Sequence, residues 1–460
     1  MKETLSETVQ SLKKKVQGRV VMPADKEYNE VREIWNAMID RKPAVIVQCA
    51  AAADAQLALR YGKENDLEIS IRGAGHNIAG NSLCDDGLLI DFSQMKQVRV
   101  DAGKKKAFVE PGATLGDVDQ ECQKFGLAMP VGINSTTGIA GLTLGGGFGW
   151  LSRKHGMTID NLASVDVLSA EGVMLHASST ENTDLFWAVR GGGGNFGIVT
   201  QFEFDLHYIG TEVFSGLIVF PFSQAKQILE QYRDYILSTP EEFNNWVVMR
   251  KAPPLPFLPE SVHGTEVVVM AICHFGDAAS GENLVNPIRQ FGDPVGEHLG
   301  MAPYTGWQQA FDPLLTPGFR NYWKSHNFTS LSDGLFDAMI EYAGKMPSPH
   351  CEIFIGAVGG KLNDVPADAM AYSGRDMKFV MNVHGRWENQ ADDNKCIGWS
   401  REFFKASEPF ASAGAYVNFM TEEEQDRVKA AYGPNYERLA KLKAKYDPDN
   451  IFHMNQNIKP

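Results

Sequence analysis

Short apolar runs and amphipathic stretches alternate along the N-terminal part of the chain. Residues 5–15 and 28–38 follow a helical pattern, while AVIVQCA (44–50) and LEISIRG (67–73) are strand-like and flank the strong helix former 51–65. A nearly continuous apolar run next to a helix is typical of a strand buried on both faces. The pattern therefore predicts a strand–helix–strand unit with a small parallel or mixed sheet.

The pattern changes at about residue 210. Hairpins and a capped helix are predicted before this point, whereas apolar-aromatic strands alternate with helices after it, as in an antiparallel sheet covered by helices. Two polar helices, at 422–433 and 435–447, are predicted near the end. The elements predicted between 87 and 209 are a strand with a turn at 87–95, hairpins at 98–113 and 164–178, a helix at 114–126 capped by Thr114 and stopped by Gly126, and a helix, glycine run and long strand at 183–209.

Length and charge restrict the classes of protein. A chain of 460 residues exceeds one ordinary core, so two or three domains are expected. Lys and Arg total 43, Asp and Glu total 57, and the net charge of −14 argues against a nucleic-acid or anionic-membrane surface. No apolar run approaches the roughly 20 residues of a transmembrane helix, and the start has no apolar signal-peptide core. We expect a soluble, cytoplasmic protein whose six scattered cysteines are reduced thiols, with no disulfide frame and no metal site.

Three glycine-rich segments lie in the first half of the chain, at 73–80, 132–149 and 191–197. The spacing GxGxxG occurs at 192–197, but an alternating strand follows it where a Rossmann dinucleotide site needs a helix. Each segment alone is explained by turns and close strand crossings. Together, each beside a strand, they favour a long ligand whose pyrophosphate meets backbone N–H groups.

His76 lies in the middle of the first glycine segment, IRGAGHNIAG. A lone histidine is more often structural than functional, and with Arg72 and Asn77 as its polar neighbours metal ligation is poorly supported. From the residues alone, the ring could be structural, a general base or a point of covalent attachment.

Four ordered motifs cover nearly the whole chain: RGAGHNIAGNSLCDDGLLIDFSQM (72–95), PVGINSTTGIAGLTLGGGFGWLSRKHGMTIDNL (130–162), DLFWAVRGGGGNFGIVT (184–200), and YVNF (416–419) followed by YGPNYERLAKLKAKYDPDNIFHMNQNI (432–458). In these motifs the sequence resembles the berberine-bridge-enzyme-like flavoproteins of the vanillyl-alcohol oxidase superfamily. The resemblance implies an α+β fold with a two-subdomain, PCMH-type FAD-binding domain (1–210). It also implies a substrate domain with a large antiparallel sheet covered by helices (211–410) and a C-terminal segment that returns to the FAD domain (411–460).

The resemblance also implies how FAD is held. His76 occupies the place of the histidine that is bonded through a ring nitrogen to the 8-methyl carbon of the flavin. Many relatives have a second link from a cysteine, but Asn134 stands at that position, so we expect no second cysteinyl link. The other cofactor contacts that the resemblance implies are Arg72, Gly73, Ala74, Gly75, Asn77, Gly132, Thr136, Thr137, Gly138, Gly141, Gly145, Gly146, Gly197, Ile198, Val199, Asn455 and Asn457.

The activity implied is FAD-dependent oxidation, with hydride passing from an alcohol or amine carbon of a small or medium metabolite to flavin N5. Tyr416, in the YxN motif, is the predicted base, and Tyr372 is a second catalytic candidate. Arg386 or Lys361 could lower the pKa of Tyr416 toward neutrality. The pattern places His384 and Glu352 on strands that could face the flavin, although we interpret both as structural residues.

The sequence gives less information about the electron acceptor than about the cofactor. We predict an oxidase that uses O2, although Thr137, at a position that influences oxygen access in relatives, is neither of the usual residues there. The alternatives are a dehydrogenase with another acceptor and a flavin-binding module without turnover. The expected partners are a small-molecule substrate and O2, in a monomer or homodimer, with no nucleic acid and no membrane.

Overall fold

The computed structural model describes residues 2–412 and 414–460, and a four-stranded sheet organises the start of this part of the chain. The strand order is β1-β2-β4-β3, with β2, β4 and β3 parallel and β1 antiparallel at the edge. The predicted strand–helix–strand unit is therefore confirmed. Its elements are α1 (Lys2–Lys15), β1 (Arg19–Val21), α2 (Tyr28–Arg32), β2 (Val45–Gln48), α3 (Ala52–Glu64), β3 (Ile69–Arg72) and β4 (Leu88–Asp91).

The predicted helix at 28–38 is too long. Helix α2 ends at Arg32 because the chain turns to an extended conformation at Glu33, where ψ is 142°. Trp35 then donates its backbone N–H to Gly75 O (3.2 Å) and its indole N–H to Leu315 O (2.8 Å). These tertiary contacts outweigh the helical pattern.

An antiparallel five-stranded sheet follows, in the order β5-β6-β10-β8-β9. The hairpins at 98–113 and 164–178 are confirmed, and so is the N-cap of α4, where Thr114 and Asp117 form a capping box. The short helix α5 inside the second glycine segment was not predicted. The elements are β5 (Val98–Asp101), β6 (Lys106–Val109), α4 (Leu115–Gln123), β7 (Leu127–Ala128), α5 (Ile139–Leu144), α6 (Ser152–His155), β8 (Leu162–Leu168), β9 (Met174–Ser178), α7 (Thr183–Val189), β10 (Ile198–Asp205) and β11 (His207–Tyr208), which pairs with β7.

A seven-stranded antiparallel sheet carries the rest of the fold, in the order β15-β12-β14-β13-β17-β18-β16. Four helices, α8, α9, α11 and α12, cover one face and form the largest apolar core with it. The other face turns toward the first two sheets. The elements are β12 (Glu212–Pro221), α8 (Ala225–Ile236), β13 (Phe243–Lys251), β14 (Glu266–His274), α9 (Ala278–Arg289), β15 (Gly296–Pro303), α10 (Tyr304–Gln308), β16 (Arg320–Phe328), α11 (Asp333–Ala343), β17 (Glu352–Ala357), β18 (Phe379–Trp387) and α12 (Asp393–Ser407).

The C-terminal segment returns to the first half of the molecule. Its helices are α13 (Val428–Tyr432) and α14 (Tyr436–Tyr446), so the predicted helix at 422–433 is α-helical only in its second half and a 3₁₀ turn before it. Buried Lys443 donates to Asn195 O (2.9 Å) and Phe452 O (3.0 Å), which ties the tail to the third glycine segment. The α+β class with a large antiparallel sheet is confirmed, while the limits at 210 and 410 stay a prediction.

Across the described ranges, no helix combines the length and the apolar character needed to cross a membrane.

Candidate active site

A cavity of about 330 Å³ lies where the first two sheets, the large sheet and the C-terminal tail meet. All three glycine segments reach its wall. Its described lining contains no Lys or Arg, so an anionic group here would be met by backbone N–H groups rather than by side-chain cations.

The first glycine segment enters this wall directly after β3. Arg72, the last residue of β3, is buried and makes two hydrogen bonds to Asp91, from Nη2 (2.8 Å) and Nε (3.1 Å), and a third to Val31 O. Gly75 has φ +73°, and a Cβ there would lie 3.1 Å from Ile34, so this turn requires glycine. Arg72 therefore fixes the start of the turn and does not reach the cavity wall.

His76 is held in a defined orientation inside the cavity. Its ring stacks on Trp35 with centroids 4.6 Å apart and an interplanar angle of 23°. Its Nε2 lies 2.9 Å from Thr136 Oγ1, and that hydroxyl donates to Asn134 Oδ1 (2.8 Å). Burial, with a smaller contribution from Arg386, lowers the pKa of His76 to about 3, so the imidazole is neutral.

These hydrogen bonds specify which tautomer His76 adopts. A hydroxyl has one hydrogen, and Thr136 gives it to Asn134, so Thr136 Oγ1 can only accept at His76. Nε2 of His76 therefore carries the hydrogen, and Nδ1 keeps a free lone pair.

A row of side chains crosses the large sheet, and three of its four members, Trp323, His384 and Glu352, line the cavity. The strand register places Trp323, His384, Glu352 and Arg250 side by side on β16, β18, β17 and β13. Glu352 accepts from Arg250 Nη1 (2.8 Å), and its other oxygen lies 3.5 Å from His384 Nδ1. The sheet therefore places a carboxylate next to an imidazole in a largely aromatic part of the cavity wall.

Electrostatics keep this pair in its basic form at neutral pH. Burial acts to raise the pKa of Glu352, but Arg250 and His384 outweigh it, and the pKa lies below its usual value. Burial lowers the pKa of His384 against the opposing effect of Glu352. Glu352 is thus ionised and His384 neutral.

Tyr416 also lines the cavity, with its hydroxyl already engaged. The oxygen accepts from Gly147 N–H (2.9 Å) and Asn418 Nδ2 (3.1 Å). Burial raises its pKa to about 12, against the smaller lowering effect of those two bonds. The neighbours expected to lower this pKa are occupied elsewhere, because Arg386 bonds Asn321 and Thr316, and Lys361 pairs with Asp364.

The comparisons with known proteins agree with this geometry. A family model described as FAD binding domain matches residues 43–178, and one described as Berberine and berberine like matches 415–459. A FAD-linked oxidoreductase of Dictyostelium discoideum is 31% identical over 97% of this chain and 95% of its own length. The chain belongs to the berberine-bridge-enzyme-like FAD-linked oxidoreductases.

Two further relatives are similar over nearly their full length. (R)-6-hydroxynicotine oxidase of Paenarthrobacter nicotinovorans is 28% identical over 97% of each chain. The crystal structure of 6-hydroxy-D-nicotine oxidase from Arthrobacter nicotinovorans gives a TM-score of 0.85 at 26% identity, covering 97% of this chain and 98% of that one. Physcomitrella patens BBE-like 1 shares the fold, with a TM-score of 0.88 at 24% identity, covering 98% and 99%. The predicted family is confirmed, and the protein is a FAD-dependent oxidoreductase.

The residues around the cavity fit FAD. Several buried polar atoms of the lining have no hydrogen-bond partner among the described residues, including Asn81 Nδ2, Ser82 Oγ and Asn455 Oδ1. A Cβ at Gly141 or Gly194 would meet no atom within 4 Å and would project into open space, so the wall there is bare backbone. Unsatisfied donors and acceptors, together with bare backbone, are what a long polar cofactor needs from a wall.

The structure brings most of the predicted site residues into this one wall. Those that line the cavity are Gly73, Ala74, Gly75, His76, Asn77, Gly132, Thr137, Gly138, Gly141, Gly145, Gly197, Ile198, Val199, Asn455 and Tyr416. Those that lie outside the lining are Arg72, Thr136, Gly146, Asn457 and Tyr372. Thr136 acts on the wall through His76, and Tyr372 is packed behind it, with its hydroxyl on Met377 Sδ (3.5 Å).

Sequence reasoning missed the aromatic half of the site. The cavity is also lined by Trp35, Phe148, Trp246, Trp323, Phe354 and Phe419. Alternation along β17 and β18 was the available signal, since Glu352 and Phe354, and likewise Asn382 and His384, share a face of their strands. It could not tell which face meets the cavity.

Proposed function

We propose that this enzyme oxidises an alcohol or amine carbon of a small or medium metabolite, with FAD tethered through His76 and dioxygen as the electron acceptor. The observation that carries the proposal is the row of Glu352 and His384, which projects into the same cavity as His76 and the glycine segments. When bound, FAD supplies the two-electron oxidation. The chain orients the substrate, accepts its proton and excludes water from the site.

His76 is the proposed tether, and Nδ1 the proposed bonding atom, because Nε2 is committed to Thr136. Such a bond would replace one hydrogen of the flavin 8-methyl group and would release the Nε2 hydrogen of His76, and dioxygen would take the two electrons and two protons, giving hydrogen peroxide. Asn134 occupies the place of a second linking residue and instead orients Thr136. All six cysteines are buried, and none belongs to the described lining of the cavity, which supports a single tether.

Glu352 and His384 form the proposed proton acceptor. Asn321 Oδ1 accepts at His384 Nε2 (3.2 Å), since the amide nitrogen of Asn321 donates to Phe319 O (2.8 Å). The hydrogen of neutral His384 therefore lies on Nε2, and the lone pair of Nδ1 faces the carboxylate of Glu352 at 3.5 Å. A proton placed between the Glu352 carboxylate and His384 Nδ1 would be hydrogen-bonded to both groups. The pair can therefore accept the O–H or N–H proton of a substrate.

Tyr416 remains the second candidate for this role. Its hydroxyl receives two N–H donors, which favour a phenolate, but burial outweighs them and holds the phenol protonated. In that form Tyr416 positions and donates to a substrate oxygen rather than removing its proton.

The test uses the purified holoenzyme and a panel of secondary alcohols, cyclic amines and sugars. Under anaerobic conditions we expect loss of the flavin absorbance with an alcohol or amine. On admission of air we expect hydrogen peroxide in equal amount to the oxidised substrate. Absence of bleaching by every alcohol and amine contradicts the reaction class. Bleaching without peroxide, with rapid reoxidation by a quinone, contradicts dioxygen as acceptor and favours a dehydrogenase.

A further inference from the structure

A second cavity, of about 60 Å³, lies on the same face of the large sheet, toward β12 and β14. Its floor consists of alternate residues of the strands, among them Val219, Val267 and Val269. The proline-rich segment 252–258 covers it with Leu255 and Leu258. Side chains of this kind offer contact area and no hydrogen bonds.

The second cavity adjoins the first. Five residues line both: Ile133, Trp246, Leu315, Glu352 and Phe354. Trp246 and Phe354 stack between them, with ring centroids 5.7 Å apart and an interplanar angle of 8°. The small cavity, called the side pocket below, therefore lies directly against the active site at this aromatic pair.

Polarity falls sharply across this boundary. The charged groups of the described lining, Arg250 and Glu352, lie at the end that adjoins the active site and are paired with each other at 2.8 Å. Apart from this pair and the indoles of Trp150 and Trp246, the described lining is apolar, and Val219 and Val267 at its far end are 1% exposed. A hydroxyl carried into that end would lose its water without gaining a partner, which costs on the order of 1–3 kcal/mol.

The size of the side pocket limits what enters it. A water-sized group needs roughly 10–15 Å³ of such space, so the pocket accepts about four to six non-hydrogen atoms. A short branched alkyl group or a small ring has this size, whereas a sugar unit is larger and carries hydroxyls on every side.

We propose that the side pocket binds the apolar end of the substrate, so that the substrate is an amphiphilic alcohol or amine and not an oligosaccharide. Its polar group lies at Glu352 and His384, and its alkyl or ring end lies against Val269 and Leu258. The inference rests on the proposed function, because it assumes that the carbon oxidised is placed beside this pair.

The test measures binding, not turnover. Benzyl alcohol and its 4-methyl, 4-ethyl and 4-isopropyl derivatives are mixed anaerobically with the holoenzyme in a stopped-flow instrument, and Kd is read from the shift of the visible flavin spectrum that precedes reduction, with cellobiose as the sugar probe. We expect Kd to fall about three- to fourfold for each added carbon, as for burial of a methylene group. We expect a weaker shift, or none, with cellobiose.

Variants at Val269 sharpen this test. Val269→Phe fills the side pocket and should remove the gain along the series while benzyl alcohol still binds. Val269→Ala enlarges the pocket and should move the optimum to a longer chain. The control, Met301→Phe, adds a ring on the exposed edge strand, where Met301 is 41% exposed, and should reproduce the wild-type series.

The outcomes separate the two proposals. A flat series in the wild type, no binding by any benzyl alcohol, tighter binding of cellobiose, or a series that Val269→Phe leaves unchanged overturns the side-pocket assignment. Acid-stable flavin and bleaching by other alcohols or amines would persist in that case. Their loss would instead count against the proposed function.

Discussion

Glu352 Oε1 and His384 Nδ1 lie 3.5 Å apart across the β17–β18 pairing, with Arg250 on the far side of the carboxylate. His384 is buried, Glu352 is 13% exposed, and both have lowered pKa values. At neutral pH this leaves a carboxylate and an imidazole lone pair facing each other without a proton between them. A proton taken up here would be shared between the two groups, which suits the role of proton acceptor proposed for them.

Replacing Glu352 by Gln should therefore slow flavin reduction by about 10²- to 10⁴-fold, because a general base contributes about that factor. The measurement is the rate constant for anaerobic bleaching in a stopped-flow instrument, at saturating substrate. Tyr416→Phe is the matched variant, since it removes the other candidate. A larger loss in Tyr416→Phe than in Glu352→Gln would reverse the assignment.

The same pair predicts a pH dependence. The pKa of His384 is lowered from 6.5, so the neutral form persists below that value and is lost as the pH falls further. The reduction rate of wild type should hold at neutral pH and decrease on the acid side, below pH 6.5. His384→Asn should abolish this acid limb, and an unchanged limb in that variant would assign it to another group.

The Asn134–Thr136–His76 chain predicts how the tether depends on its neighbours. His76→Ala should abolish acid-stable flavin. Thr136→Val should slow tethering, because His76 loses the acceptor that keeps its hydrogen on Nε2. Thr136→Ser keeps the hydroxyl and should restore it. The readout is flavin fluorescence of the protein band after denaturing electrophoresis, with the mass of the intact chain. Equal tethering in Thr136→Val and wild type would contradict the positioning role.

The local sequence pattern was sufficient to predict features that depend on a single helix, strand or loop. Strands β2 and β4 are entirely buried and read as apolar runs, and Thr114 caps its helix as expected. The glycine segments were assigned to one ligand for a local reason too, since each follows or precedes a strand. These elements form the wall of the cavity that fits FAD.

The substrate wall could not be read in this way. Strand β16 presents Trp323, Ser325 and Asn327 on the face toward the first half of the molecule, so its alternation lacks the expected apolar face. Glu352 meets Arg250 only because β13 and β17 pair although distant in sequence. Trp35 was predicted to lie in a helix, but it instead donates hydrogen bonds to Gly75 and Leu315. Each outcome depends on strand order, which no local window contains.

Lys443 predicts how firmly the tail holds the cofactor site. Its ammonium is fully buried and bonds Asp447 (2.6 Å), Asn195 O and Phe452 O. Lys443→Met leaves the Asp447 charge without its partner, which costs about 3–5 kcal/mol. The urea midpoint should fall, and more flavin should be released on gentle denaturation of a His76→Ala background. Lys441→Met, two residues earlier on the exposed face of α14, is the control. A midpoint equal to that of Lys441→Met would show that the buried pair does not stabilise the fold.

His326 predicts a loss of stability in acid. Its ring is buried against Phe404, 4.2 Å away and nearly parallel, and Nε2 donates to Phe404 O (2.9 Å). Burial lowers its pKa to about 4, despite an opposing effect of that bond. Between pH 6.5 and 4 the unfolded chain binds a proton that the folded chain does not. Stability therefore rises with pH across this window, and the contribution of this residue is complete above pH 6.5. It falls by roughly 2 kcal/mol from pH 6.5 to 5.

Urea unfolding at pH 7 and pH 5 measures the difference. His326→Gln, which keeps an N–H donor and does not titrate, should reduce it by about that amount. If the two proteins lose equal stability, other buried groups carry the acid sensitivity.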